Sequence, residues 1–143
     1  MKRDSRLSNI LHALLHMAEH EARHGRPMTS DQLAVCLSTN PVVVRRTMSG
    51  LREQGLVASE KGHGGGWRLA KALDQVTLGQ VNAALGEPGL FPEVPPVEAE
   101  GCLVEAAVND ALADTYAAAR ALLVARLDSI TLADLAADFS RRL

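Results

Sequence analysis

Residues 51–70 read LREQGLVASEKGHGGGWRLA, and this stretch decides the fold. It has the marks of a helix end, a turn at Gly55, a strand, a tip of four glycines around His63 and a returning strand. That is a β-hairpin wing appended to a helix. A tip so rich in glycine lets the backbone take positive φ and come close to another backbone. The large polar side chains of the tip, Lys61, His63 and Arg68, are basic or can become so. Such a hairpin suits a position against an anion.

The residues before the wing supply the other half of a DNA reader. In TSDQLAVCLSTNP, residues 29–41, Thr29 is followed three residues later by Gln32, a capping box, and Met28 and Leu33 stand where a hydrophobic staple would close. The run Leu37-Ser38-Thr39-Asn40 breaks this short helix. Asn40 as N-cap and Pro41 as first helical residue then open a second helix to about residue 54. Helix, tight turn, helix and wing make a winged helix-turn-helix.

The helical phase divides the faces of that second helix. At about 100° per residue, Val44, Thr47, Met48 and Leu51 gather on one side, the core side. Val42, Arg46, Ser49 and Glu53 lie opposite, with Arg45 and Arg52 on the flank. A guanidinium can bond a guanine edge in bidentate fashion, and a hydroxyl can bond several base edges. The expectation is therefore that Arg46 and Ser49 read bases and that Arg45, Arg52 and Lys61 contact phosphates, with Asn40, Val42 and His63 beside them on the same surface.

Charge is distributed accordingly. The net charge of −2 hides a basic first half: residues 1–71 carry eleven Lys/Arg against six Asp/Glu, whereas residues 72–143 carry four against eleven. Only the first half is then expected to touch nucleic acid. No signal peptide and no apolar run of membrane-spanning length are seen, so a cytoplasmic protein without a membrane partner is expected. Two cysteines in such a chain do not predict a structural disulfide.

After the wing, Val76-Thr77-Leu78-Gly79-Gln80-Val81 repeats the capping box and opens a helix to about residue 85. Residues 86–101, GEPGLFPEVPPVEAEG, hold four of the six prolines and read as a linker or long loop. Residues 102–127 are rich in alanine, with Val104, Val108, Leu112, Thr115, Ala119, Leu122 and Arg126 at helical spacing. A helix of that length is too long to be covered by so small a domain and is expected to pack on its copy in a second subunit. A third capping pattern, Thr131 with Asp134, predicts a short terminal helix. The chain thus divides into a winged helix-turn-helix domain, 1–85, a loop, 86–101, and a dimerisation helix with a terminal helix, 102–143. The fold class is mainly α with one small β-hairpin.

Arg6-Leu7 followed by LHALLHMA, Asn40-Pro41 before the second helix of the motif, the wing LREQGLVASEKGHGGGWRLA and the closing LDSITLADLA together resemble the Rrf2 family of bacterial transcription regulators. The resemblance spans almost the whole chain. It implies a homodimeric winged-helix regulator, usually a repressor, that binds double-stranded DNA at an inverted repeat and dimerises through its long C-terminal helices. Trp67 stands where the family usually has Tyr, a change that should preserve packing under the wing. Members of the family hold an iron–sulfur cluster with three cysteines in the loop before the long helix. Here Gly101-Cys102-Leu103 matches the last of the three, the other two positions have no thiol, and Glu105 stands where some cluster-binding relatives have His. A cluster needs about four ligands, so neither a cluster nor another cofactor is expected.

Two features stay open. Cys102 at a helix N-terminus is a candidate redox or electrophile sensor, or else a small apolar residue; Cys36, between Val35 and Leu37, reads as core. His12, His16, His20 and His24 step by four along the first helix, opposite an apolar stripe of Leu7, Leu11, Leu14, Ala18 and Ala22. Adjacent imidazoles could hold a metal, but with no third ligand in register a solvated face is expected and no metal. No enzyme is indicated: GHGGGW lacks the Lys-Ser/Thr of a P-loop, and no nucleophile, His and carboxylate stand at recognisable spacing. The reading is a sequence-specific regulator responding to a redox or small-molecule signal. The alternative is a regulatory dimer that acts by binding another protein, its DNA affinity vestigial.

Overall fold

Every α-helix described but the first begins where a side chain takes over an orphan backbone N–H. In the computed structural model, which describes residues 5–63, 65–86, 91, 94 and 101–143, α1 spans Arg6–His24, α2 Ser30–Cys36, α3 Pro41–Glu53, α4 Leu78–Ala84, α5 Leu103–Asp128 and α6 Leu132–Arg141. β1 is Val57–Glu60 and β2 Gly66–Leu69, and a single 3-10 turn, Leu73–Gln75, precedes α4. Most of the loop at 86–101 lies outside the described residues.

Thr29, Thr77 and Thr131 each form a full capping box with Gln32, Gln80 and Asp134. Met28 and Leu33, the two ends of the expected staple, are both buried. The turn between α2 and α3 passes through Ser38 in the left-handed region, φ 51°. Asn40 then accepts from the N–H groups of Val42 and Val43 at 3.0 and 3.1 Å, and Pro41 follows at the first helical position.

The core collects one face from nearly every element. Ile10, Ala13, Leu14 and Met17 of α1, Leu33 of α2, Val44, Met48 and Leu51 of α3, Val57 and Trp67 of the hairpin, Val81 of α4 and Leu132 of α6 are buried in one cluster. Leu132 thus places α6 in the core of the winged domain. On α1 the buried set departs from the expected stripe: Ile10, Ala13 and Met17 are inside, Leu7 and Leu11 are half-buried, and Ala22 is exposed. A row spaced by four advances about 40° around the helix at each step, so it drifts off the core within three turns. On α3, Thr47 is half-buried and donates its hydroxyl hydrogen to the Val43 carbonyl at 3.0 Å. Cys36 sits half-buried at the rim of the core.

β1 and β2 pair antiparallel from Val57↔Leu69 to Glu60↔Gly66. A contact between distant segments completes the wing. Met28 and Trp67 exchange two backbone hydrogen bonds, Met28 N–H to Trp67 O at 3.1 Å and Trp67 N–H to Met28 O at 2.7 Å. The Trp67 indole N–H also donates to Ser30 Oγ at 3.0 Å. A second clasp joins the starts of α4 and α6: Leu78 N–H donates to Ile130 O and Leu132 N–H to Val76 O, both at 2.9 Å. Its fit is tight, because a Cβ on Gly79 would overlap the Asp128 carboxylate.

None of the 26 residues of α5 is buried. Leu103, Val104, Val108, Leu112 and Leu122 stand exposed along it, and Phe91 stacks on Tyr116 with ring centroids 5.9 Å apart.

A Cβ on Gly66 would lie 2.3 Å from the Met28 carbonyl oxygen, a backbone atom that cannot step aside without breaking the exchange with Trp67. Gly66→Ala is expected to cost about 2–3 kcal/mol in urea unfolding, with the loss seen as earlier amide exchange in the hairpin. Gly62→Ala, whose added methyl meets nothing within 4 Å, is expected to lose less in spite of its positive φ.

Candidate nucleic-acid interface

The core contacts of α3 fix what its other side shows. With Val44, Met48 and Leu51 fully buried, Val42, Arg45, Arg46, Arg52 and Glu53 are exposed. Ser49 is half-buried. Arg46 stands at the lip of an open cleft of about 470 Å³ lined also by Arg6, Asn9, Thr39 and Val43. This cleft is not legible in the sequence, because its walls come from α1, the turn after α2, α3 and α4.

Arg52 is committed to the wing. Its guanidinium lies 5.9 Å from the centroid of the Trp67 ring and donates to Ser59 Oγ at 3.3 Å. A cation over an indole face contributes about 0.5–1 kcal/mol at an exposed site. Arg68 is likewise occupied, pairing with Glu21 of α1 at 3.0 Å and with Glu60 of β1 at 2.9 Å. Lys61 and His63 at the tip remain exposed. Asn40, exposed at the start of α3, spends its side-chain carbonyl on the helix cap.

Cys102 lies apart from this surface, half-buried at the start of α5, where its Sγ accepts from the Glu105 N–H at 3.4 Å. It is the N-cap of the long helix. Among the described residues no three of His, Cys, Asp or Glu gather to hold a metal ion. The chain has two cysteines, one on α2 and one opening α5, and these do not fit a thiolate-held iron–sulfur cluster. On α1, His20 is half-buried with its Nε2 shut off from solvent and unpartnered. Desolvation first, then the nearby His24 and Arg26, hold its pKa below the ordinary histidine value.

The family model described as Rrf2, iron-dependent transcriptional regulator, matches residues 3–138. The chain belongs to the Rrf2 family. It is 34% identical over 89 residues to the HTH-type transcriptional regulator IscR of Vibrio campbellii, covering 61% of this chain and 51% of that one. The IscR of Erwinia tasmaniensis is 36% identical over 77 residues, 52% of this chain and 44% of its own length. The chain thus spans about half the length of the curated relatives it matches. A transcriptional regulator from Lactobacillus plantarum superposes with a TM-score of 0.75 at 26% identity, over 95% of this chain and 90% of that one. The T. potens IscR superposes with a TM-score of 0.66 at 22% identity, over 96% and 88%, and shows the shared fold. These relatives are transcriptional regulators, not enzymes. Among the described residues of this Rrf2 chain, no helix is long and apolar enough to cross a membrane.

The Asn40 cap separates stability from recognition. Asn40→Ala is expected to cost about 1 kcal/mol in chemical denaturation, because two N–H groups lose their acceptor. Asn40→Asp keeps an acceptor there and should restore most of that stability. Its added negative charge should weaken binding to duplex DNA in fluorescence anisotropy all the same.

Proposed function

We propose that this Rrf2 chain is a homodimeric, sequence-specific DNA-binding repressor that reads an inverted repeat. The observation that carries the reading is the placement of Arg45 and Arg46 on the solvent side of α3, while Arg52 of the same helix and Arg68 of the wing are already engaged. Arg46 and Ser49 would meet base edges in the major groove. Arg45 and Lys61 would meet phosphates, with Val42 and His63 completing the surface and Arg52 bracing the wing. The alternative of a regulator that works through a protein partner gives no reason for unpaired basic side chains at both the α3 face and the wing tip.

Dimerisation would go through α5. Its apolar residues Val104, Val108, Leu112 and Leu122 are exposed on a helix about 39 Å long that the domain leaves bare. A second copy is the simplest cover, and a two-fold pair would place two α3 helices on one side of a duplex, about a helical turn or a multiple apart. Cys102, at the N-terminus of that helix, is the residue through which a redox signal would act. Cys102→Ser should leave promoter affinity intact and abolish its loss on treatment with peroxide.

Two experiments test the central assignments. Arg46→Ala should cost about 1–3 kcal/mol at the cognate site and relax discrimination at one base position, whereas Lys61→Ala should weaken all sequences alike and lower the salt slope by about one. Equal weakening on every sequence in Arg46→Ala would remove it from the base readers. Leu122→Glu, at a position 74% exposed in the single chain, should give a folded monomer with lost operator affinity in sedimentation and gel-shift assays. An unchanged dimer would show that Leu122 faces elsewhere.

A further inference from the structure

The histidine row of α1 does more than form a polar face. His12 and His16, one turn apart, bring their Nε2 atoms to 2.8 Å, with ring centroids 4.5 Å apart and ring planes at 66°. Only one of two neutral rings can carry a hydrogen on the shared line, so at least one lone pair is presented to the other ring. His12 is exposed and His16 half-buried, so the point between the two nitrogens is open to solvent.

This separation matches the bite of a metal chelate. Two imidazole nitrogens about 2.0–2.1 Å from one ion and 2.8 Å from each other subtend an angle of about 90°. That is the angle between neighbouring ligands in a tetragonal or octahedral site. A tetrahedral ion would hold the same atoms about 3.3–3.4 Å apart. Tetragonal nitrogen sites are the preference of Cu²⁺ and Ni²⁺, not of Zn²⁺.

The surroundings define the rest of the coordination sphere. The nearest carboxylates on the helix are engaged elsewhere, Glu19 with Arg23 at 2.6 Å and Glu21 with Arg68 at 3.0 Å. Water is left to fill the remaining positions, in keeping with the lack of any three-residue metal group among the described residues. The second pair, His20 and His24, has ring centroids 4.7 Å apart, but His20 Nε2 is closed to solvent and cannot meet a hydrated ion. Row drift toward the core, the same drift that exposes Ala22, thus makes the two pairs unequal.

We propose that His12 and His16 form a two-imidazole chelate for Ni²⁺ or Cu²⁺ on the outer face of α1, the ion taking the two Nε2 atoms in adjacent positions and water in the others. The chelate exists only while α1 is helical, so an occupied site also stabilises the folded chain.

Isothermal titration of the tag-free full chain with NiCl₂ tests this, with nickel chosen over copper because it spares the two thiols from oxidation. The expected result is saturable binding of one Ni²⁺ per chain, a thermal midpoint raised by Ni²⁺, and weaker binding of Zn²⁺ from ZnCl₂. His12→Asn and His16→Asn should each lower Ni²⁺ affinity at least tenfold, and His24→Asn should leave it unchanged, with circular dichroism confirming that all three remain helical. Absence of saturable Ni²⁺ binding, or equal affinity in His12→Asn and His16→Asn, would overturn the site. Zn²⁺ binding as tight as Ni²⁺ would overturn the assigned geometry.

Discussion

Two backbone hydrogen bonds between Met28 and Trp67 fix the wing against the helix-turn-helix. Met28 is the residue just before the cap of α2, so the wing is fastened to the start of the helix-turn-helix and not only to the end of α3. An isolated two-stranded hairpin is marginal in water. This one gains a third strand partner, an indole N–H held by Ser30, and Arg52 lying against the same ring. The need for close approach explains why glycine occupies position 66, where a Cβ would strike the Met28 carbonyl.

Fixing the wing also sorts its charges. Of the basic residues in the hairpin, Arg68 is drawn back by Glu21 and Glu60 and becomes a strut between wing and α1. Ion pairs that water still reaches contribute little to stability, typically up to about 1 kcal/mol, but they set orientation. Lys61 and His63 are left exposed at the tip. At the far side, the paired caps of α4 and α6 tie the end of α5 to the winged domain. The end of α5 is thereby joined to the core through the buried Leu132.

The parts that could be read from sequence are those fixed by neighbours in the chain. Thr29, Asn40, Thr77 and Thr131 cap helices with partners two or three residues away, and the core face of α3 follows from one period over thirteen residues. What escaped was set by tertiary partners. Nothing near Arg68 in sequence reveals Glu21, and nothing near Met28 reveals Trp67. On α1 the expected stripe of Leu7, Leu11, Leu14, Ala18 and Ala22 runs to one side of the buried Ile10, Ala13, Leu14 and Met17, and its last two four-residue steps drift off the core at Ala22. The same drift concealed that His12 and His16 converge while His20 turns inward. Within the site, the exposure of Arg45 and Arg46 was legible from phase, but the diversion of Arg52 to Trp67 and Ser59 was not.

In the function proposed above, the start of α3 and the wing tip form one rigid surface that meets nucleic acid. Amide hydrogen exchange read by mass spectrometry, with and without a duplex carrying the promoter region of the chain's own gene, tests it most directly. The duplex is expected to slow exchange together in residues 38–47 and 60–66 and to leave the outer face of α6 unchanged. Slowing confined to α5 and α6, or no change with any duplex, would contradict it.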